Sequence, residues 1–316
     1  MAKTAFILHD SLNGGVATWT RFIFNNIKTE AIIIDNDLIK RDLKKISIKT
    51  FFKLLKFISL NDVNRIIVGN SVPALYAKLI RLFKPKIKVI YVSHGWGWSY
   101  QKKITKLISY IIEFITIPLV NQLVYVSKED QRKAKTFIFK RNEKILRNIC
   151  FKDLQLRKNN NSRPKVLFVG RNAYPKRIDL FIELSNRNKD FDWYIVGSQG
   201  ENSENLYYLG EIKDFKEYYK YDYFILLSES EGNPLVLHEA LSCGLLCMIN
   251  KLPYHEEFID NWNSQLLCSD DLNINSLIET FEKLKNKPHP EVESLNVKNK
   301  QIEGDFIESI HSIFIK

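Results

Sequence analysis

The sequence predicts an α/β protein made of two Rossmann-like domains, and three observations carry that prediction. Short apolar runs rich in Ile, Val, Phe and Tyr alternate with longer segments at helical period, the pattern of βαβ units in a parallel sheet with helices on both faces. The alternation pauses at a polar, turn-forming run, 158–164, and then restarts. At 316 residues and 45% hydrophobic content, the chain has room for two cores of about 150 residues each.

Taken in order, residues 4–9, 31–34, 65–68, 88–92 and 123–126 are the expected strands of a first domain, 1–160. Residues 165–169, 193–196, 223–227 and 245–249 are those of a second domain, 164–298. The last stretch, 301–316, reads as an amphipathic helix with Phe306, Ile307, Ile310, Ile313 and Phe314 on its apolar side. Ligands of open parallel sheets bind beyond the carboxyl ends of the strands. Four loops are therefore expected to line one cleft: 12–16, 93–98, 170–176 and 228–234.

The net charge of +11 conceals a division. Residues 1–163 carry 31 Lys and Arg against 11 Asp and Glu, or +20, and residues 164–316 carry 16 against 25, or −9. A basic half can serve nucleic acid, an anionic membrane surface or solubility. Helical segments 40–57, 76–84 and 102–117 mix Lys and Arg with Ile, Leu and Phe, which suits a helix lying on an anionic bilayer. The stretch 107–120 is interrupted by Glu113 and Pro118 and is too short to span a bilayer; a core-packed helix is its plainer reading. No helix-turn-helix, zinc-finger spacing or RNA-binding aromatic motif accompanies the charge, which argues against nucleic acid as a partner. The N-terminal apolar run is too short for a secretory signal. Cys150, Cys243, Cys247 and Cys268 show no CxxC or metal-ligand spacing, as expected of reduced thiols in a cytoplasmic protein. No GxGxxG follows an expected strand, which argues against a dinucleotide oxidoreductase.

The chemistry concentrates in two segments. In 228–239, Asn233 is a good N-cap and Pro234 suits a first helical position, so a helix should begin there with its free amides ready for phosphate. Gly232 lets the backbone approach a ligand, and Glu231 and Glu239 bracket the same place. Carboxylates repel phosphate, so their partners would be the hydroxyls of a ribose and a hexose flanking a diphosphate. Taken alone, the segment is equally a capped helix with incidental acids. The second segment supplies cations: Gly170 ends a strand, Arg171 can fork onto phosphate oxygens, and Lys176 follows five residues later.

Together, in this order and at this separation, the two segments resemble the retaining GT-B glycosyltransferases grouped as family 4. The likeness extends through 166–171, 176–180, 194–197, 208–210 and 228–244, most of the second domain. It is looser in the first domain, where Gly14-Gly15, His94-Gly95 and Val126-Ser127 stand where the family carries its glycine loop, histidine loop and strand-ending serine. The resemblance implies a GT-B fold: two Rossmann-like domains facing across a cleft, with the C-terminal helix, 299–316, crossing back to pack on the first. It implies transfer of a hexose from a UDP- or GDP-linked donor, with retention, to a glycan or lipid-linked oligosaccharide in surface polysaccharide biosynthesis.

Carried over residue by residue, Arg171 and Lys176 would hold the donor diphosphate and stabilise the departing nucleotide. Glu239 would take the ribose hydroxyls and Glu231 those of the sugar, with Gly170, Gly232 and the amides around Asn233, Pro234 and Leu235 against sugar or phosphate. Gly14 and Gly15 would approach the diphosphate from the first domain. His94 would project toward donor sugar and acceptor; a satisfied core histidine is its other reading. Front-face displacement, in which the leaving phosphate accepts the acceptor's proton, needs no separate base. No clustered aspartate pair suits Mg²⁺, so no cofactor is expected and the chemistry is expected to be metal-independent, with Asp260, Asp270 and Asp271 as capping and surface residues. The short N-terminal apolar run and the unpaired thiols point to the cytoplasm, and the basic half would suit a peripheral enzyme acting on a lipid-linked glycan at the inner face of the membrane. Three other readings stay open: a nucleotide-sugar epimerase on the same scaffold, a glucosyltransferase acting on modified DNA, and a non-catalytic GT-B partner protein. The stretch 244–250 is bulkier than the family's and the loop 253–260 lacks its glycines, which leaves nucleotide and sugar open.

Overall fold

The structure, a computed structural model, describes residues 3–8, 14–96, 103–136, 142–158 and 163–315. Residues 12 and 13 of the first glycine loop, 97 and 98 of the histidine loop, most of the polar run 158–164 and the side chain of Asp260 lie outside the described residues. The chain divides into two compact units, Met1–Asn148 with Gly304–Lys316, and Ile149–Glu303.

In the first unit, β1 (Lys3–Ile7), α1 (Gly15–Asn26), β2 (Ala31–Ile34), α2 (Asn36–Ile39), α3 (Ile48–Leu60), β3 (Val63–Val68), α4 (Ser71–Phe83), β4 (Lys88–Ser93), α5 (Lys103–Thr116), β5 (Gln122–Tyr125), α6 (Lys128–Ala134) and β6 (Asn142–Ile145) follow one another. The strands form one sheet in the order β2-β1-β3-β4-β5-β6, every pairing parallel. Successive strand residues point to opposite faces. Ala5, Ile7, Ile66, Val68, Val89 and Tyr91 pack with α3 and α4 in one core. On the other face, Phe6 meets Phe24 of α1 at 6.0 Å between ring centres.

The helix expected over 40–57 is divided. Helix α2 stops at Lys40, whose φ of 48° is left-handed and cannot continue a helix, and α3 starts only at Ile48. The helix α5 also differs from its core-packed expectation: Ile104, Leu107, Ile108, Ile111 and Ile115 are exposed, while its acid, Glu113, is buried.

The second unit runs β7 (Lys165–Val169), α7 (Ile178–Arg187), β8 (Asp192–Val196), β9 (Leu206–Gly210), β10 (Tyr223–Leu226), α8 (Leu235–Ser242), β11 (Leu246–Asn250), α9 (Glu256–Trp262), β12 (Leu266–Ser269), α10 (Ile274–Lys285) and α11 (Val292–Ile310). Its sheet has the order β12-β11-β10-β7-β8-β9 and is likewise parallel, with an apolar core on each face. Three strands have no counterpart among the expected ones: β6, β9 and β12. All three are sheet edges, and edge strands are short; β6 and β12 have four residues each, and three of the four residues of β6 are exposed.

The division falls at Asn148 and Ile149 rather than in the polar run 158–164. Contacts tie the stretch 149–157 to the second unit. Leu154 and Leu156 pack on that unit's core, and the Arg157 guanidinium donates to Asp222 Oδ1 at 2.9 and 2.7 Å. At the other end, α11 begins nine residues before 301, and from Gly304 onward the chain belongs to the first unit. There Phe306 stacks edge-on against Phe22 at 5.8 Å, Phe314 against Trp19 at 6.0 Å, and the Arg65 guanidinium donates to the Phe314 carbonyl. The last helix thus crosses back to the first unit, with Phe306, Ile310, Ile313 and Phe314 buried as their spacing requires.

Candidate active site

Strand order decides where a ligand can sit. In the second unit the order reverses between β7 and β10, neighbours in the sheet although far apart in sequence. A doubly wound sheet binds its ligand at such a reversal, beyond the strands' carboxyl ends. The loops that leave those two strands are the segments bearing Arg171 with Lys176 and Glu231 with Glu239.

Backbone hydrogen bonds lock the two loops side by side. Arg177 N donates to Leu227 O at 3.0 Å and Glu229 N to Pro175 O at 2.9 Å, and Lys176 and Ser228 form an antiparallel bridge. Asn250, at the end of β11, fixes Ser228 on both sides: its Oδ1 accepts from Ser228 N and its Nδ2 donates to Ser228 O, each at 2.9 Å. Arg177 clasps Asp179 at 2.6 Å and reaches Glu229 at 3.5 Å. Asn250 and Arg177 carry no signal in the sequence that marks them for this work, because each acts through a strand neighbour.

Within this frame Lys176 Nζ lies 2.6 Å from Glu231 Oε1, and Ser228 Oγ donates to the same oxygen at 2.8 Å. Arg171 is exposed, and among the described residues no acid pairs with it. Gly170 is tied to β8, its N donating to Val196 O at 2.8 Å and its O accepting from Ser198 Oγ at 2.8 Å. Two cations and one carboxylate thus stand together at the sheet reversal.

The helix start differs from expectation by one residue. Helix α8 begins at Leu235, and extended Pro234 takes the cap position. Asn233 does not serve as the N-cap; its Oδ1 lies 2.6 Å from His238 Nε2. Half-buried His238 packs on Phe258, with ring centres 4.5 Å apart, and the loss of solvent around its ring pulls its pKa down to about 3. A neutral imidazole therefore holds Asn233. In the first turn of α8 the Leu237 amide donates to Pro234 O at 3.2 Å, and the amides of Leu235 and Val236 precede any intrahelical carbonyl, beside half-buried Gly232.

Glu239 is placed otherwise than a surface acid would be. Its Oε2 accepts from Tyr218 Oη at 2.6 Å and its Oε1 lies 3.1 Å from Lys152 Nζ. Burial raises its pKa against the opposing pull of Lys152 and Tyr218. Lys152 also donates to Phe215 O at 3.0 Å. The Cys150 thiol beside it is pushed up to about 12 by burial and by Glu239, which makes it inert. Each carboxylate oxygen has two lone pairs, so Glu239 keeps acceptor capacity for a ligand hydroxyl. Lys152 and Tyr218 were invisible in the sequence because they reach Glu239 only through the packing of the 149–157 stretch and the turn before β10.

The first unit contributes a separate set. Gly14, at φ 91°, caps α1 without a side chain, and Gly14 and Gly15 are exposed. His94 follows β4, edge-on to Trp19 at 5.0 Å. Burial pulls its pKa down to about 4, and its Nε2 has no hydrogen-bond partner among the described residues. It is therefore not the satisfied core histidine. Gly69, after β3, makes room for it: a Cβ there would lie 2.9 Å from both His94 Cδ2 and Val16 Cγ1. Gly69 is a neighbour of His94 that the sequence pattern did not reveal.

No group of three or more His, Cys, Asp or Glu among the described residues is arranged to hold a metal. Asp271 Oδ1 accepts from Asn273 N at 2.9 Å ahead of α10, and Asp270 is exposed. No helix among the described residues is long and apolar enough to cross a membrane. All four cysteines are unpaired.

Comparison with known proteins agrees with this geometry. Residues 152–301 match the family described as glycosyl transferases group 1. The O-antigen biosynthesis glycosyltransferase WbnH of Escherichia coli is 32% identical over 277 residues, covering 79% of this chain and 81% of that protein. Among solved structures, sucrose-phosphate synthase of Thermosynechococcus elongatus superimposes with a TM-score of 0.74 at 12% identity, covering 99% of this chain and 95% of that one. Anabaena Alr3699/HepE, solved in complex with UDP and glucose, gives 0.68 at 12% identity, covering 99% and 96%. With its two parallel Rossmann-like units, its locked cation and carboxylate loops and a relative this similar along most of its length, the chain belongs to the group 1 glycosyl transferases and is a GT-B glycosyltransferase.

Proposed function

We propose that this glycosyltransferase moves a hexose, with retention, from a UDP- or GDP-linked donor to a glycan or lipid-linked oligosaccharide of a surface polysaccharide. The observation that carries the reading is the Lys176–Glu231 contact, 2.6 Å long, beside exposed Arg171 at the sheet reversal. In the free protein the ammonium and the carboxylate satisfy each other. A donor diphosphate would take Lys176 and Arg171, and Glu231, released, would accept hydrogen bonds from the sugar's hydroxyls. The O-antigen role of the WbnH relative and the UDP and glucose held by HepE favour the same class of donor and acceptor.

In the proposed step the bond between the anomeric carbon and the diphosphate oxygen breaks, and the acceptor oxygen bonds to that carbon on the same face. The diphosphate oxygen takes up negative charge and the acceptor's proton. Arg171, Lys176 and the first amides of α8 oppose that charge where it develops. Because the two cations meet the diphosphate, we expect activity to survive chelation. Glu239, aimed by Lys152 and Tyr218, would take the ribose hydroxyls with its remaining lone pairs. His94 would face donor sugar and acceptor as a neutral ring; its Nε2 is buried in the free protein and would have to be uncovered to meet a hydroxyl.

Thermal shift against a panel of nucleotide sugars tests the donor, because a bound ligand stabilises the fold by mass action. Lys176→Ala should abolish the shift and lower kcat by about 100-fold. An unchanged shift would place the donor elsewhere.

A further inference from the structure

The helix α5 is mounted inside out for a protein in water. Ile104, Leu107, Ile108, Ile111 and Ile115 recur at helical spacing along one side and form a single stripe. They are between 45% (Ile111) and 77% (Ile104) exposed. The opposite side carries the helix's acid inward: Glu113 pairs with the Lys78 ammonium of α4, both buried, and its Oε1 accepts from Tyr91 Oη at 3.2 Å. Lys78 Nζ also lies 4.5 Å above the Tyr91 ring. Rotating α5 to hide the isoleucines would carry Glu113 away and leave the buried Lys78 ammonium without its carboxylate, which is strongly destabilising. The pair therefore pins the helix with its apolar side outward.

Charge points to what covers that side. Residues 48–116 contain twelve Lys and Arg and two acids, Asp62 and Glu113. With Glu113 buried, Asp62 is the exposed acid, against exposed Lys49, Lys53 and Lys56 on α3, Lys84 and Lys86 after α4, and Lys106 on α5. The helices α3 and α5 flank α4 on one face of the sheet, and Ile48 and Phe52 of α3 are exposed there too. The first unit as a whole has 28 basic residues against 12 acidic. A symmetric contact between two copies sets a patch against itself, which here would oppose lysine to lysine. An aliphatic stripe ringed by lysines instead matches acyl chains beneath phosphate headgroups.

We propose that this face of the first unit docks on an anionic lipid bilayer, with the α5 stripe entering the boundary of headgroups and acyl chains and the lysines of α3 to α5 holding lipid phosphates. The inference deepens the proposed lipid-linked acceptor, and rests on that reading only for its purpose; docking itself needs no transfer. It assigns to the Lys78–Glu113 pair the work of setting which side of α5 meets the membrane.

Flotation of the full chain with vesicles tests this. Vesicles of phosphatidylcholine with about one-third phosphatidylglycerol should carry the protein upward, vesicles of phosphatidylcholine alone should not, and salt should weaken the binding. The combined variant Ile104→Ser, Ile108→Ser, Ile111→Ser should bind the anionic vesicles at least tenfold more weakly with an unchanged melting temperature. Should that variant fail to fold, Ile104→Ser alone, at the most exposed position and without change of charge, should weaken binding in the same direction. Absence of the wild type from the anionic vesicles would overturn the proposal. So would a stripe variant that floats as well as the wild type, which would leave charge alone as the cause. Light scattering that finds a dimer dissolved by the same substitutions would make the face a contact between copies. The nucleotide-sugar thermal shift, read on the same samples, separates this from the transfer reading: vesicle binding without a shift sinks the donor site and leaves docking standing, and the reverse sinks docking alone.

Discussion

At the scale of single residues, the candidate site is a set of polar groups whose environments fix their charge. His94 and His238 both titrate below an ordinary histidine, at about 4 and about 3, because burial disfavours the charged ring. Half-buried His289 shifts in the same direction for the same first cause. Above about pH 6.5 these rings are neutral in folded and unfolded chains alike and cost nothing. As pH falls from about 6.5 through 4, the unfolded chain takes up protons that the folded chain refuses, so stability is lost across that window. Glu239 works the other way, since its raised pKa favours the folded state as pH falls; one carboxyl does not offset three imidazoles. Urea midpoints should therefore fall from pH 6.5 to 4, and His94→Gln should reduce the slope by about one proton. Arg171, Lys176, Glu231 and Glu239 were all legible as candidates because their residue types stand in a recognisable order. Their partners Asn250, Lys152, Tyr218 and Gly69 were not, since each meets its neighbour through strand adjacency or packing rather than through spacing in sequence.

At the scale of elements, α5 is the helix whose setting departs most from its sequence. Its stripe of isoleucines read as a core face, and the length and period were right. Which side faced inward depended on Lys78, a residue of α4 that cannot be paired with Glu113 from sequence. Removing one partner should be costly: Lys78→Met alone is expected to destabilise by about 3–5 kcal/mol, leaving a buried carboxylate uncompensated. The double replacement Lys78→Met, Glu113→Leu should return stability to within about 1 kcal/mol of the wild type, because buried ion pairs exchange for apolar pairs at little cost. Denaturant melts of the wild type, Lys78→Met, Glu113→Leu and the double variant decide the matter, and additivity of the two single effects would show that the pair does not act as a unit.

At the scale of the whole molecule, the two units carry opposite charge, +16 for 28 basic against 12 acidic residues in the first and −5 for 19 against 24 in the second. The second unit is continuous in sequence, Ile149–Glu303, and has its own two-sided core. Expressed by itself it should fold and keep a nucleotide-dependent rise in melting temperature, whereas a fragment begun at residue 164 should melt lower. That fragment lacks Leu154 and Leu156 on the core, the Arg157–Asp222 contact at 2.7 Å and the Lys152–Glu239 contact at 3.1 Å. Equal stability of the two fragments would show that the 149–157 stretch contributes nothing. By itself, the sequence determined the class of fold, the alternation of parallel strands and helices, the four loops that follow strands, and the residue types of the segment 228–239. These are local properties, written in period, turn chemistry and short-range order. The tertiary structure alone decided that β7 and β10 are neighbours, that Lys176 meets Glu231, that the unit boundary precedes Ile149, and that α5 turns its aliphatic side outward. Each of those depends on which distant segments pack together, and the energy of that packing is spread over contacts that no local pattern records.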